Sequence, residues 1–153
     1  MADAGDTVLN PVSGERIVFV RTAADTAGEL LEMEDFWASP DHRTQPHVHP
    51  EMEETWEVLV GRAGFEIGGE VRVAGPGEVV VAAAGSPHRA WNAADGETHL
   101  RITMRPALRW EEFVVRLFAA AQEGRVDEHG SLEPALAIEL LREFSRELAP
   151  APS

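Results

Sequence analysis

The chain has 153 residues, a formal net charge of −14, no cysteine and no tyrosine, and all 13 of its basic residues are arginine. A surface this acidic repels phosphate backbones and anionic membranes, so no nucleic-acid partner and no membrane partner is expected. The lack of cysteine excludes disulfides, thiolate metal sites and a thiol nucleophile, and the lack of lysine excludes Schiff-base chemistry. Catalysis is left to His, Asp, Glu, Arg, Ser, Thr or a metal.

In chain order, residues 1–14 are expected as a loose lead-in with a turn at Asn10-Pro11. The segment Met1-Ala2-Asp3-Ala4-Gly5-Asp6 has no basic region and no apolar core, so no signal peptide is expected. No apolar run is long enough to span a bilayer, and a cytoplasmic location is expected. Arg16–Val20 is rich in β-branched and aromatic residues and predicts a first strand, and Glu29–Trp37 a second. Ser39–Pro46 is a polar loop. Short strand-like runs follow at Thr55–Val60, Ala63–Ile67, Glu70–Val73, Glu78–Ala82, His88–Asn92 and Thr98–Arg105, separated by glycine-rich turns. Many short strands with such turns predict a β-sandwich or barrel. After Pro106 the period changes. Trp110, Phe113, Val114, Leu117, Phe118 and Ala121 predict one helix, and Leu136, Leu140, Leu141, Phe144 and Leu148 a second. The division is a barrel domain with its lead-in over 1–106 and a helical extension over 107–153. The two helices pack on the barrel or on each other, or contribute to a homodimer contact.

The chemistry concentrates in Pro46-His47-Val48-His49-Pro50-Glu51-Met52-Glu53-Glu54 and in Gly85-Ser86-Pro87-His88. Residues i and i+2 of a strand share a face, which puts His47 and His49 on one side. Glu54 lies far enough away for a bend, and His88 comes from another strand. Three imidazoles and a carboxylate suit one divalent transition-metal ion: iron, manganese, nickel, copper or zinc. Glu54 is preferred over Glu53 because it shares parity with Trp56 and Val58.

These residues resemble the two motifs of the cupin superfamily, in its compact single-domain form. His47-Val48-His49, four residues, Glu54, six residues and Gly61 match the first. Gly77, then Gly85-Ser86-Pro87-His88 and Asn92 match the second. Asp41 stands where the first motif usually opens with glycine and Ala83 where the second usually has proline, and both positions serve the backbone. The resemblance covers roughly residues 16–105. It implies a mainly β fold, a cupin jelly-roll β-barrel here followed by a C-terminal pair of α-helices. It also implies metal ligands at His47, His49, Glu54 and His88, with Glu54 also available as a catalytic proton acceptor.

Two coordination positions would remain open on an octahedral ion. The expected function is that of an oxygenase for a small enol or phenol that chelates the metal. The alternatives are a non-redox isomerase, cyclase or decarboxylase, and a binding module without chemistry. Phe36, Trp37, Met52, Trp56 and Phe65 are candidate apolar walls of a substrate pocket, and His99 and Arg101 candidate polar contacts. His42 is expected as a solvated loop residue, with a lid residue as the alternative, and Arg89 and Trp91 as outward-facing. One of Glu51, Glu53, Glu54 and Glu57 is expected to hydrogen-bond a ligating imidazole. The expected assembly is a homodimer.

Overall fold

Strand β3, Leu31–Trp37, shows how the chain makes a barrel: Leu31, Met33, Asp35 and Trp37 are buried while Glu32, Glu34 and Phe36 are half-exposed between them. The period of two gives one face to the core and one to solvent. The same alternation runs along β2, Arg16–Arg21, β5, Glu53–Val60, β9, His88–Asn92, and β10, Thr98–Arg105. The computed structural model describes residues 2–152.

The remaining strands are β1, Thr7–Leu9, β4, His47–Val48, β6, Ala63–Ile67, β7, Glu70–Ala74, β8, Val79–Ala82, and β11, Ala149–Pro150. They form two antiparallel sheets that face each other across the core. One is ordered β1-β2-β3-β10-β5-β8 and the other β11-β4-β9-β6-β7. Helix α1, Trp110–Gln122, and helix α2, Pro134–Glu143, follow the barrel strands. The architecture is therefore the mainly β jelly roll with two C-terminal helices expected from the motifs.

Phe19, Leu31, Phe65, Val58, Leu100 and Met104 are completely buried between the sheets. Val114 and Phe118 of α1 belong to this same core. Phe113 and Ala120 on α1 form a smaller core with Leu136, Leu140 and Phe144. The helices thus turn their apolar faces onto their own barrel and onto each other.

Two expectations need correcting. The lead-in is not loose, because Thr7–Leu9 pairs with Arg16–Val18 and Ala2 is buried in the core. The second helix does not reach Leu148. It stops at Glu143, and the chain then turns so that Ala149 and Pro150 pair with Val48 and His47. Pro150 and Pro152 could not have continued a helix. The Gly61 of the first motif has φ of +84°, and a Cβ there would lie 2.5 Å from Thr98 Oγ1, so both backbone angle and space require glycine.

Candidate metal centre

Cross-strand register builds the site. His47 on β4 stands directly opposite His88 on β9. His49 follows β4, where its carbonyl accepts from the Gly85 N–H at 2.9 Å and so ties the turn before His88 to the loop after His47. Glu54 enters from β5 in the opposite sheet, sharing the inward face with Trp56 and Val58. Four ligand atoms from these residues lie within 4.8 Å of one another. His49, Glu54 and His88 are buried and His47 is half-buried. Glu53 is exposed, as strand parity requires.

The three rings are oriented by backbone carbonyls. His47 Nδ1 contacts the Gln45 carbonyl oxygen at 2.6 Å, His49 Nδ1 that of Glu147 at 2.9 Å, and His88 Nδ1 that of Ser86 at 2.9 Å. A carbonyl only accepts, so each Nδ1 carries the proton. The Nε2 atoms are left to face inward, and those of His49 and His88 lie 3.0 and 3.3 Å from Glu54 Oε1. A ring lone pair cannot face a carboxylate oxygen at that distance without positive charge between them.

The acid–base balance has the same origin. Burial alone would raise the Glu54 carboxyl, but its contacts with the His49 and His88 rings hold it down at about 2. Burial, together with the neighbouring His49 and His88, pushes His47 down to about 4 despite the Gln45 carbonyl and Glu54. Burial also opposes charge on His88, yet its contact with Glu54 lifts it above the ordinary imidazole value. An ionised carboxylate among imidazoles with inward-facing Nε2 atoms is the donor set of a divalent transition metal, which requires deprotonated ligands. Ligand atoms on one such ion stand about 3 to 4.2 Å apart, given bonds of about 2.1 Å, so the cluster is near the size that an ion needs.

The cluster lies on a cavity of about 1040 Å³. Its walls include Met33, Trp37, Trp56, Ile102, Trp110 and Phe118. Trp56 packs edge-on to His88 with centroids 5.3 Å apart, and Trp110 edge-on to His49 at 4.7 Å. Of the expected walls, Trp37 and Trp56 line the cavity. Met52 and Phe65 do not: both are completely buried in the core. Phe36, His99 and Arg101 lie on the outer face of the first sheet. Phe36 stacks on His99 at 4.0 Å with the Arg16 guanidinium 3.8 Å over its ring, and Arg101 meets Glu34 at 3.4 Å. Their parity is the reason, since Leu100, Ile102 and Met104 take the inward face of β10.

Three further differences concern residues around the site. His42 is buried and lines the cavity rather than standing in solvent. Of the four glutamates expected near the imidazoles only Glu54 meets them, and the outer ring nitrogens meet carbonyls instead; Glu51 pairs with Arg146 at 3.0 Å and Glu57 with Arg101 at 3.9 Å. Trp110, Asp35 and Glu147 were not singled out from the sequence. Trp110 read as one apolar position of a helix, and Glu147 acts through its main chain, which carries no residue-type signal.

The family model described as Cupin domain matches residues 38–104. KdgF from Halomonas sp. superposes with a TM-score of 0.54 at 20% identity, over 61% of this chain and 79% of its own. A double-stranded β-helix protein of Klebsiella pneumoniae superposes with a TM-score of 0.52 at 21% identity, over 71% of this chain and 84% of its own. The polyketide cyclase RemF from Streptomyces resistomycificus does so with a TM-score of 0.52 at 25% identity, over 60% of this chain and 64% of its own. No curated protein matches the chain.

Proposed function

We propose that this chain, whose residues 38–104 match the Cupin domain model, is a cupin and a metal-dependent enzyme that rearranges or cyclises a small, mainly apolar molecule bearing an enolisable carbonyl or a phenol. The observation that carries this reading is the placement of the Glu54–His49–His88–His47 cluster on a large cavity walled by three indoles. Such walls accept a flat apolar body, and the buried polar cluster fixes one end of it.

His47, His49, Glu54 and His88 would hold the ion. A divalent ion there would draw electron density from a carbonyl, enol or phenol oxygen. Glu54 Oε1 faces two imidazoles, so Oε2 is the oxygen left to take a proton from the substrate. Trp56 and Trp110 exclude water from the ligating rings and set the plane in which a flat substrate lies. The likeness to RemF at 25% identity supports ring closure or a related non-redox step over oxygenation. The oxygenase reading uses the same four ligands, and dioxygen dependence separates the two.

The test is turnover of enolisable diketones and poly-β-ketones by protein of measured metal content, in strict anaerobiosis. We expect conversion to persist without oxygen and to fall by at least about 100-fold, near 2.7 kcal/mol, in His49→Ala and Glu54→Gln. Conversion that stops when oxygen is removed would install the oxygenase instead. Ligand binding unchanged in His88→Ala, with no conversion, would leave a binding module. Light scattering tests the homodimer, for which exposed Val71, Val73, Val79 and Val81 on β7 and β8, the end strands of the two sheets, are the supporting feature. No helix among the described residues is long and apolar enough to cross a membrane, and the cytoplasm remains the proposed location.

A further inference from the structure

The cavity has a second polar end. Along β10, Met104 pairs with Glu54 on one side and Leu100 with Asp35 on the other. The stretch from Leu100 to Met104 is about 13 Å at about 3.3 Å per residue, which sets Asp35 well along the barrel from the metal ligands.

Asp35 is 3% exposed and His42 8% exposed, and both line the cavity. The Trp37 indole N–H donates to Asp35 Oδ2 at 3.0 Å, while Oδ1 receives no donor. His42 Nε2 also lacks a partner. Neither residue is loosely placed. The His42 ring stacks on Trp37 with centroids 4.9 Å apart. The His42 backbone N–H donates to the Ser39 carbonyl at 3.0 Å, and its backbone carbonyl accepts from the Asn92 backbone N–H at 2.9 Å. The Asn92 amide then ties the carbonyls of Trp37 and Ser39 to the same point, at 3.2 and 3.0 Å.

Glu15 also lines the cavity, as do Ser39, Asp41 and Arg43. Burial and the adjacent Glu15 carboxyl keep a proton on Asp35 well above the usual carboxylate range. Burial keeps His42 neutral against the opposing influence of Glu15. The wall therefore offers a protonated carboxyl whose Oδ1 has no partner and an imidazole nitrogen without a partner. A hydroxyl group answers both, accepting from the acid and donating to the ring.

We propose that Asp35 and His42 bind a hydroxyl of the substrate at the end of the cavity away from the metal ligands, so that the substrate is an extended molecule oxygenated at both ends. The assignment of the first end, a chelating enol or phenol at Glu54, rests on the function proposed above. The second end stands on its own unpartnered buried atoms.

The test compares two fluorescent probes, 3-hydroxyflavone and its 4′-hydroxy derivative, on the zinc-loaded and the metal-free chain. The wild type is expected to bind the hydroxylated probe about tenfold more tightly, the worth of one buried hydrogen-bonded group. Asp35→Leu and His42→Phe are expected to bring that ratio to within about twofold of unity. The shape-conserving Asp35→Asn, which keeps a donor, retains a clear preference and guards against a fold defect. His49→Ala weakens both probes equally and leaves the ratio intact, which tests the metal reading separately. Equal affinity of the two probes for the wild type, or a ratio that survives both Asp35→Leu and His42→Phe, overturns the proposal.

Discussion

A carbonyl behind each imidazole of the cluster fixes the tautomer without adding a second negative charge to the site. Where such a ring holds a metal, losing its orienting partner typically costs about 10–100-fold in affinity. Asp35 illustrates the opposite case, a carboxyl with too little to hold its charge. It is ionised in the unfolded chain above about pH 3.9 but protonated in the folded one, where burial, Glu15 and more distantly Glu54 oppose ionisation against the single donor Trp37. The folded state then binds more protons, so stability falls as pH rises from that value through the raised native pKa. Asp35→Asn removes this slope. Its Tm is expected to gain on the wild type progressively between pH 4 and pH 8, each 1 kcal/mol reading as about 2–4 °C for a chain of this size. A gap that does not grow with pH would mean that Asp35 is ionised in the native protein. The clustering of His47, His49, Glu54 and His88 and their parity were legible in the sequence because HxH spacing and alternation in β5 act locally. Asp35 was not, since a strand carboxylate at an inward position looks the same on paper as the outward Glu32 and Glu34 beside it. His42 was missed for a similar reason: only the folded Asn92 clamp brings its loop against Trp37.

Among the elements, the short C-terminal strand has an influence out of proportion to its length. β11 covers the free side of β4, and the Glu147 carbonyl reaches His49 from 98 residues away. The Glu147 carboxylate meanwhile accepts from the Arg109 N–H at 3.0 Å, joining the tail to the start of α1. A chain ended after Arg146 retains both helices and all four ligands. It is expected to bind zinc or cobalt about 10–100-fold more weakly, the loss typical of removing an orienting partner, as measured by competition with a chromophoric chelator. Unchanged affinity would show that water replaces the carbonyl at no cost. The barrel strands and both helices could be read from periods of 2 and 3.6 residues. The tail could not, because its apolar spacing continued the pattern of α2 through Leu148 and a two-residue strand has no period to detect.

At the scale of the whole molecule, the ligand cluster draws His47 and His88 from one sheet and Glu54 from the other, so an ion placed there fastens the two halves of the barrel. Binding only to the native state stabilises it by mass action, by about 2.7 kcal/mol at a free metal concentration 100 times the Kd. Added zinc is therefore expected to raise Tm by several degrees at pH 7.5 and a chelator to reverse the gain. The gain should shrink as pH falls, because protons compete first at His88, whose pKa is raised, and last at His47, which stays neutral to about pH 4. A metal-induced shift constant from pH 7.5 to pH 5 would place the ion elsewhere. The strong negative charge is partly organised. Arg109 and Arg116 bridge Glu112, Glu139 and Glu143 across the two helices, though exposed pairs of this kind contribute little each. The four tryptophans are divided in a useful way. Trp56 and Trp110 touch His88 and His49, Trp37 touches His42, and Trp91 alone sits outside the barrel over Gly64. Three of the four natural fluorophores thus stand beside the groups that would meet an ion or a ligand, and the protein carries an unlabelled optical gauge of which end of its interior is filled.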